Sequence, residues 1–174
     1  VDLSSIRPMI ALPMHPSNAF TIEELNANLE DILHACEEDV QKLIGRKDVH
    51  LDLCSKIENG KLRVDQGVIA GCAGGLYDSI YEAASILKGR TGGCGDYALS
   101  VYPGSQPIMM ELVRTGVISE LMASGATVRT AFCGPCFGAG DVPANGALSI
   151  RHTTRNFPSR EGSKPGNGQL AGVA

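Results

Sequence analysis

Three cysteines have the spacing and surroundings of a metal-cluster site. Cys72 lies in the sequence Ala-Gly-Cys-Ala-Gly-Gly, and Cys133 and Cys136 follow sixty residues later in Cys-Gly-Pro-Cys. Each lies in a glycine-rich turn after an apolar run, where the backbone could approach a bulky inorganic group closely. Three thiolates would bind three irons of a cubane cluster and leave the fourth iron open to substrate, whereas a fourth thiolate would close the site. The pattern therefore predicts Lewis-acid chemistry at an open iron.

Two other metal or thiol sites remain compatible with these cysteines. Cys-Gly-Pro-Cys is also the active-site tetrapeptide of thioredoxin-like oxidoreductases, in which the second cysteine lies within a helix. Here the motif precedes Phe-Gly-Ala-Gly-Asp-Val-Pro, a poor helix-forming sequence, which disfavours that interpretation. Zinc remains open as an alternative, because Cys94 or a histidine could join the three cysteines in a tetrahedral site.

An arginine-rich segment provides a second candidate for chemistry. Arg151, Arg155 and Arg160 occur within ten residues, beside Asn156 and several hydroxyl groups. Guanidinium groups bind carboxylates with two parallel hydrogen bonds, so the segment suits a polycarboxylate ligand. The alternative is that the three arginines lie in a solvated loop and bind no ligand. The position of the segment directly after a predicted strand favours the binding interpretation.

A long helix is the clearest local element of the sequence. Thr21 and Glu24 form a capping box, apolar residues recur at helical spacing over 22–44, and Gly45 supplies a stop. Cys36 lies on the apolar stripe of this helix, and Cys54 ends a predicted strand, so both are interpreted as structural. None of the histidines has ligand-like spacing, and each is assigned to the surface or to a supporting position: His15, His34, His50 and His152.

Strands and helices alternate through the rest of the chain. Strands are predicted at 49–54, 62–64 (after an Asn-Gly hairpin turn), 68–70, 97–101, 126–132 and 147–150, and helices at 77–87, 107–114 and 118–123. This alternation predicts an α/β fold with three layers, in which a mostly parallel sheet carries helices on both faces. Ligands bind beyond the carboxyl ends of such strands, which is where the cysteine turns and the arginine segment are predicted.

The bulk composition excludes several classes of partner. The formal net charge of −4 argues against nucleic acid or an anionic membrane surface. No stretch approaches the roughly 20 apolar residues of a membrane span. Six cysteines are expected to remain reduced in the cytoplasm, where thiols stay available for metal. Residues 1–174 are expected to form a single domain excised from a larger protein, because the chain does not begin with methionine.

Over nearly its whole length, the chain resembles the cluster-binding third domain of the aconitase superfamily of [4Fe–4S] hydro-lyases. Four motifs occur in the same order as in that family. They are Gly71-Cys72 with Tyr77-Asp78, Pro103-Gly104-Ser105, Cys133-Gly134-Pro135-Cys136 with Asp141, and Arg155-Asn156-Phe157 with Arg160.

The resemblance implies a role for the matching residues. Cys72, Cys133 and Cys136 would bind the [4Fe–4S] cluster, and Arg155, Arg160 and Ser105 would contact substrate. Members of the family dehydrate and rehydrate hydroxy di- or tricarboxylic acids, using a base and further residues from other domains. The chain alone is therefore expected to be inactive and to need the other domains of its parent as partners. The alternative is a non-catalytic zinc or thiol-redox module on the same scaffold.

Two departures from the family pattern lie close to the expected cluster. Aconitases usually follow the first cysteine with Thr-Asn-Ser, whereas this chain has Ala73-Gly74-Gly75, and Thr154 replaces the asparagine before Arg-Asn-Phe. Both changes remove amide groups that could donate hydrogen bonds near a cluster. We expect either a substrate other than citrate and isocitrate or altered catalysis. Some family members bind RNA after losing their cluster, but the acidic charge balance gives that function no support.

Overall fold

A five-stranded parallel sheet organises the chain in a computed structural model that describes residues 2–92, 97–153, 155–162, 164–166 and 168–174. The strands are β1 (Met9–Ala11), β2 (Ala19–Thr21), β3 (Ile57–Glu58), β4 (Lys61–Leu62), β5 (Gln66–Ile69), β6 (Ala98–Val101), β7 (Thr127–Val128), β8 (Leu148–His152) and β9 (Gly172–Val173). The helices are α1 (Ile22–Ala27), α2 (Leu29–Ile44), α3 (Gly71–Gly74), α4 (Tyr77–Leu87), α5 (Gln106–Arg114) and α6 (Val117–Ala123). The main sheet has the order β7-β6-β5-β8-β9, and β1–β2 and β3–β4 form separate hairpins. The predicted parallel α/β architecture is confirmed.

Helices cover the sheet through two apolar cores. One core joins α4, α5 and α6 to β6 through fully buried residues such as Ile80, Leu112 and Val101. The other joins α1 and α2 to β8 through Leu33 and Leu148. Burying large aliphatic side chains in this way is the main stabilising contribution to such a fold. No helix in the described ranges is long and apolar enough to cross a membrane.

The predicted helix over 22–44 is divided in two at Asn28. Thr21 Oγ1 accepts a hydrogen bond from the Glu24 amide, and Glu24 Oε2 accepts one from the Thr21 amide, so the capping box is confirmed. Asn28 then leaves helical geometry, with φ of −132°, and α2 begins at the next residue. Asparagine is a weak helix former, which accounts for the break. Gly45 ends α2 with φ of 65°, as predicted.

Residues 49–54 were predicted to be a strand, and this prediction is wrong. Their alternation is real, because Val49, Leu51 and Leu53 are buried against the core beneath α2. The backbone makes only an isolated bridge from His50 to Gln169, however, and then turns through the 3₁₀ segment Cys54–Lys56. A chain that lies along a helix can show the same period of two as a strand without pairing in a sheet.

Five strands differ in length or existence from the prediction, and two of these differences move functional residues. Strand β7 has two residues rather than the predicted seven, which leaves residues 129–133 as a connection leading to Cys133. Strand β8 runs two residues further than predicted, so Arg151 and His152 belong to the sheet rather than to a loop. The hairpin β1–β2 and the edge strand β9 were not predicted, whereas the Asn59-Gly60 hairpin is confirmed as β3–β4.

Candidate functional site

Cys72 lies at the carboxyl end of the central strand of the sheet. It follows β5 in the first turn of α3 and is exposed. The turn packs against the end of the neighbouring strand β6, where the Gly104 amide donates a hydrogen bond of 2.8 Å to the Gly75 carbonyl oxygen. The short helix is therefore fixed between two strand ends, and its cysteine projects from the edge at which ligands bind in parallel sheets.

Cys133 and Cys136 come from the connection that follows β7. Cys133 is exposed and Cys136 is buried, with the 3₁₀ segment Gly134–Cys136 between their backbones. A cavity of about 280 Å³ has both Cys72 and Cys133 in its wall, together with Gly71, Pro103, Gly104, Ala131 and Phe132. The segment after Cys136 forms turns rather than an α-helix, unlike the helix that carries the second cysteine of a thioredoxin-like motif.

Arg151 holds the Cys-Gly-Pro-Cys turn onto the sheet. Its side chain points from β8 beneath the turn, and the residue is only 6% exposed. The guanidinium donates from Nη1 to the Pro135 carbonyl oxygen at 2.5 Å and from Nη2 to the Asp141 carbonyl oxygen at 2.6 Å. Burial lowers the pKa of Arg151, although the negative charge of Asp141 acts in the opposite direction. The expectation that Arg151 lies in a loop is therefore wrong: it belongs to β8, and its donors are used inside the protein.

A buried tyrosine fixes the far end of the same turn. The Tyr102 hydroxyl donates a hydrogen bond of 2.6 Å to Asp141 Oδ2, and Arg129 Nη2 lies 3.5 Å from Asp141 Oδ1. Burial, followed by the hydrogen bond to Asp141, raises the pKa of Tyr102 to about 12, so the hydroxyl remains a donor at neutral pH. Asp141 has φ of 45°, which its partners must stabilise in a non-glycine residue. Residues 133–141 are thus anchored at both ends.

Arg155 and Arg160 lie together in a second cavity of about 460 Å³. Arg155 is exposed, whereas Arg160 is 3% exposed and donates to Thr153 Oγ1 at 3.0 Å. Burial and the nearby charge of Arg151 lower the pKa of Arg160 to about 10, so the guanidinium remains charged at neutral pH. Its Nε has no hydrogen-bond partner among the described atoms, which makes Arg160 a buried cation with an unused donor.

The cysteine turn and the arginine segment are parts of one structural unit. The charge of a Cys136 thiolate raises the pKa of both Arg151 and Arg160, so the thiol lies within electrostatic reach of both guanidinium groups. The backbones also pack directly, because a Cβ added at Gly138 would lie 2.7 Å from Gly162. Cations close to thiols favour the thiolate form that binds metal.

Gly74 brings His152 close to the Cys72 helix. A Cβ added at Gly74 would lie 2.1 Å from the His152 carbonyl oxygen and 3.3 Å from its imidazole Cγ. The backbone at Gly74 therefore leaves no room for the asparagine that is usual in aconitases, and the His152 imidazole lies over the space beside it. His152 also contributes to the wall of the arginine cavity.

The remaining predicted positions have different outcomes. Ser105 caps α5, because its Oγ accepts a hydrogen bond of 3.4 Å from the Ile108 amide, and its role in substrate binding remains a prediction. Cys94, the candidate fourth thiolate, and Thr154 lie outside the described residues. Among the described residues, the group of three donors within 4.8 Å of one another, as a single ion requires, does not involve Cys72, Cys133 or Cys136.

Two residues of this region were not recognised from the sequence. Tyr102 could have been found, because it follows a buried strand at the ligand-binding edge, beside Pro103. Glu161 could not, because it begins a polar, glycine-rich segment in which nothing local predicts a buried carboxylate. It is 3% exposed, and burial raises its pKa against the attraction of Arg151 and Arg160. The buried charges at this edge are therefore mixed in sign, with an excess of positive charge.

Comparison with known proteins gives the same family across the chain. A model of the aconitase family (aconitate hydratase) matches residues 1–174. The 3-isopropylmalate dehydratase large subunit of Caldanaerobacter subterraneus subsp. tengcongensis is 31% identical over 100% of this chain and 34% of its own length. The Moorella thermoacetica protein of the same name is 30% identical over 100% of the chain and 33% of its own length. The chain thus spans about a third of the length of these relatives.

Proposed function

The chain belongs to the aconitase family, and from that premise we propose that it is the cluster-binding part of a hydro-lyase acting on a hydroxy di- or tricarboxylic acid. In this proposal Cys72, Cys133 and Cys136 hold a [4Fe–4S] cluster. The supporting observation is that strands of one sheet deliver a cysteine cavity and an arginine cavity to the same edge. The whole protein would be a carbon–oxygen lyase in which other domains complete the site.

The donor set supports a cluster more than a single ion. Three thiols suit a cubane, because each sulfur binds a different iron and the fourth iron stays open. Two glycines, Gly71 and Gly104, line part of the cavity. Because they have no side chains, a bulky inorganic group could approach the backbone closely there. When bound, the cluster would supply a Lewis-acidic iron that polarises the carbon–oxygen bond of a hydroxy acid.

The protein residues would hold and orient the substrate. Arg155 is exposed in the cavity wall and can present a two-pronged donor to one carboxylate. Arg160 is fixed by Thr153 and contributes its positive charge from within the wall. Arg151 and Tyr102 act indirectly, because they hold the turn that carries two of the three cysteines. Holding reacting groups in fixed geometry removes much of the entropic barrier of a reaction.

The lining of the arginine cavity supports a substrate that also has an alkyl portion. Beside the guanidinium groups, apolar side chains come from the first hairpin and from α1, including Met9, Ile10 and Ile22. A dicarboxylate with a branched alkyl group would match both surfaces. The relatives are named for 3-isopropylmalate, a compound of this kind, and we propose it as the first substrate to test.

The proposal is tested on the full-length protein reconstituted anaerobically with iron and sulfide. We expect about four irons per chain, a three-iron EPR signal after mild oxidation, and turnover of 3-isopropylmalate in preference to citrate. Cys133→Ser should lose the cluster and the activity, whereas Cys36→Ala, which removes a core thiol far from the site, should retain both. A colourless protein with stoichiometric zinc would contradict the proposal, as would Cys133→Ser with full activity.

The chain by itself is expected to show no turnover. In the family the base that removes a proton from carbon comes from another domain, and this chain spans only about a third of the length of its relatives. Measurable dehydration of any hydroxy acid by purified residues 1–174 would show that no base from another domain is needed.

A further inference from the structure

A second group of metal-binding side chains lies away from the cysteine edge. His34 and Glu37 occupy neighbouring turns on one side of α2 and face Cys54 in the 3₁₀ segment. One donor atom from each residue lies within 4.8 Å of the other two. From the sequence, His34 is assigned to the surface or a supporting position and Cys54 to a structural one. Their proximity could not be predicted, because sixteen residues separate Glu37 from the segment that folds back against it.

Glu37 is already oriented by the segment that it faces. Its Oε1 accepts hydrogen bonds from the backbone amides of Leu53 and Cys54, the latter at 2.7 Å. The side chain is only 19% exposed, and its second oxygen, Oε2, lies 3.9 Å from His34 Nδ1. One carboxylate oxygen is therefore used to hold the backbone, and the other is available next to the histidine.

His34 has the pair of neighbours that is typical of a metal-binding histidine. Its Nδ1 faces Glu37, and its Nε2 lies 3.5 Å from Glu38 Oε1. Histidines that bind metal through one ring nitrogen commonly donate from the other to a carboxylate, which fixes the ring and raises its basicity. The side chain is 67% exposed, so the ring can rotate towards an ion without disturbing the core.

The surroundings of Cys54 carry excess negative charge. Burial, followed by Glu37 and then Glu30 and Asp52, raises the pKa of the Cys54 thiol to about 11. A negative charge on the sulfur, next to these carboxylates, is therefore unfavourable unless a cation compensates it. A divalent ion would reverse this balance: the thiol would release its proton to solvent as the metal–sulfur bond forms.

We propose that His34 Nδ1, Glu37 Oε2 and Cys54 Sγ bind a divalent cation of the zinc class. Mixed nitrogen, oxygen and sulfur donors are typical of zinc, and a water molecule would complete a tetrahedron. Zinc–ligand bonds of about 2.0 to 2.3 Å place donors roughly 3.5 Å apart, so donors that now lie within 4.8 Å of one another would have to approach by up to about 1 Å. The ion would join α2 to residues 51–56.

This site is separate from the one proposed for the hydro-lyase reaction. Asp52 and Ser55, the sequence neighbours of Cys54, line a cavity with Gln66 and Ala98, the first residues of β5 and β6. The three cluster cysteines follow the opposite, carboxyl ends of the strands. Failure of either proposal therefore leaves the other intact.

Cobalt(II) is the appropriate probe, because a thiolate bound to it gives a charge-transfer band that oxygen and nitrogen ligands do not. The experiment uses the full-length protein already loaded with iron and sulfide, so that Cys72, Cys133 and Cys136 are occupied. We expect one equivalent of cobalt, displaceable by zinc, with a thiolate band that Cys54→Ser abolishes and Cys36→Ala leaves unchanged. If cluster loading fails, the same titration with Cys72, Cys94, Cys133 and Cys136 all changed to serine removes the competing thiols.

Two carboxylate substitutions on the same helix, compared with each other, and a measurement of thermal stability complete the test. Glu37→Gln should weaken cobalt binding by about 10- to 100-fold, whereas Asp39→Asn, which removes an exposed carboxylate from the same helix, should change it less than about threefold. Zinc should raise the thermal unfolding midpoint of the parent protein but not of Cys54→Ser. A cobalt spectrum and zinc-induced stabilisation that are unchanged in Cys54→Ser would overturn the proposal. The same conclusion would follow if the parent protein bound no cobalt.

Discussion

Arg151 Nη1 lies 2.5 Å from the carbonyl oxygen of Pro135, inside the turn that carries two of the three predicted cluster cysteines. The same guanidinium donates to the carbonyl oxygen of Asp141, at the far end of that connection. A strand is among the most rigid elements of a fold, so these bonds attach an irregular segment to a fixed support. The buried Arg151 side chain therefore helps to fix the position of Cys133 and Cys136 relative to the sheet.

Replacing Arg151 by lysine should loosen the cysteine turn while Arg155 and Arg160 remain in the wall of the arginine cavity. Lysine keeps the charge but cannot donate to Pro135 and Asp141 at once, so a buried carbonyl loses its partner at a cost of about 2 kcal/mol. We expect Arg151→Lys to lower the iron content after reconstitution and to speed cluster loss in air. Iron and sulfide assays over time measure this effect. Arg155→Lys is the control, and equal cluster lifetimes in the two variants would refute the positioning role.

The role of Arg151 could not be predicted from sequence, and the reason is physical. The sequence indicates a cationic segment after an apolar strand, and this inference is correct for Arg155 and Arg160. Whether an arginine near a strand end points to solvent or beneath the next loop depends on where the strand stops, since alternate residues face opposite sides. Two additional residues of β8 place Arg151 on the side of Gln66. Strand ends are poorly determined by local sequence.

Gly74→Ala should destabilise the protein, although alanine is the better helix former. The new Cβ would lie 2.1 Å from the His152 carbonyl oxygen, which belongs to β8 and cannot move alone. We expect a loss of about 2 kcal/mol in the free energy of unfolding, together with weaker cluster retention, because Cys72 lies two residues earlier. Gly92→Ala is the matched control, because its Cβ would make ordinary contacts starting at 3.4 Å. Urea unfolding of both variants measures the difference, and equal stabilities would contradict the close approach.

Sequence and structure agree best where one short stretch determines its own conformation. The capping box at Thr21, the stop at Gly45 and the helix Tyr77–Leu87 all depend on neighbouring residues and are confirmed. The strand predicted at 49–54 is wrong because its alternation reflects packing beneath a distant helix. The contact of Glu37 with Cys54 likewise depends on tertiary packing, so no local pattern could reveal it.

Substitutions of Arg155 and Arg160 should differ in their effects, because only one of the two side chains also stabilises the fold. Arg155 is exposed and makes no hydrogen bond to another described residue in this structure, so Arg155→Lys should leave the thermal unfolding midpoint unchanged. It should raise KM for a dicarboxylate substrate by about 10- to 100-fold, the value of one bidentate charged contact. Arg160→Lys should impair substrate binding and also lower the midpoint by several degrees, because the buried guanidinium donates to Thr153. Steady-state kinetics and thermal unfolding of the two full-length variants check this. A stable Arg160→Lys protein with normal KM would contradict both assignments.

A partly buried ion pair at the opposite edge of the sheet should make stability fall in acid. Asp65 Oδ2 accepts hydrogen bonds from Lys56 Nζ at 2.7 Å and from the Leu148 amide at 2.8 Å. Burial alone would raise the pKa of Asp65, but these bonds and the charges of Lys56 and Arg63 outweigh it and lower the pKa. The folded protein therefore holds the carboxylate more strongly than the unfolded chain does. This contribution is fully present above the unfolded pKa of about 3.9 and is lost as the pH falls through the folded value.

Asp65→Asn removes this contribution and leaves Lys56 without its partner. We expect a loss of about 2 kcal/mol in the free energy of unfolding at pH 7, and the gap to the parent protein should narrow below about pH 4. Glu58→Gln is the control, because this exposed carboxylate lies 3.2 Å from Arg63 and should contribute less than about 0.5 kcal/mol. Urea unfolding from pH 3 to 7 measures all three proteins. A gap between Asp65→Asn and the parent that is independent of pH would mean that the carboxylate acts through packing, because only a titrating charge can make the difference disappear in acid.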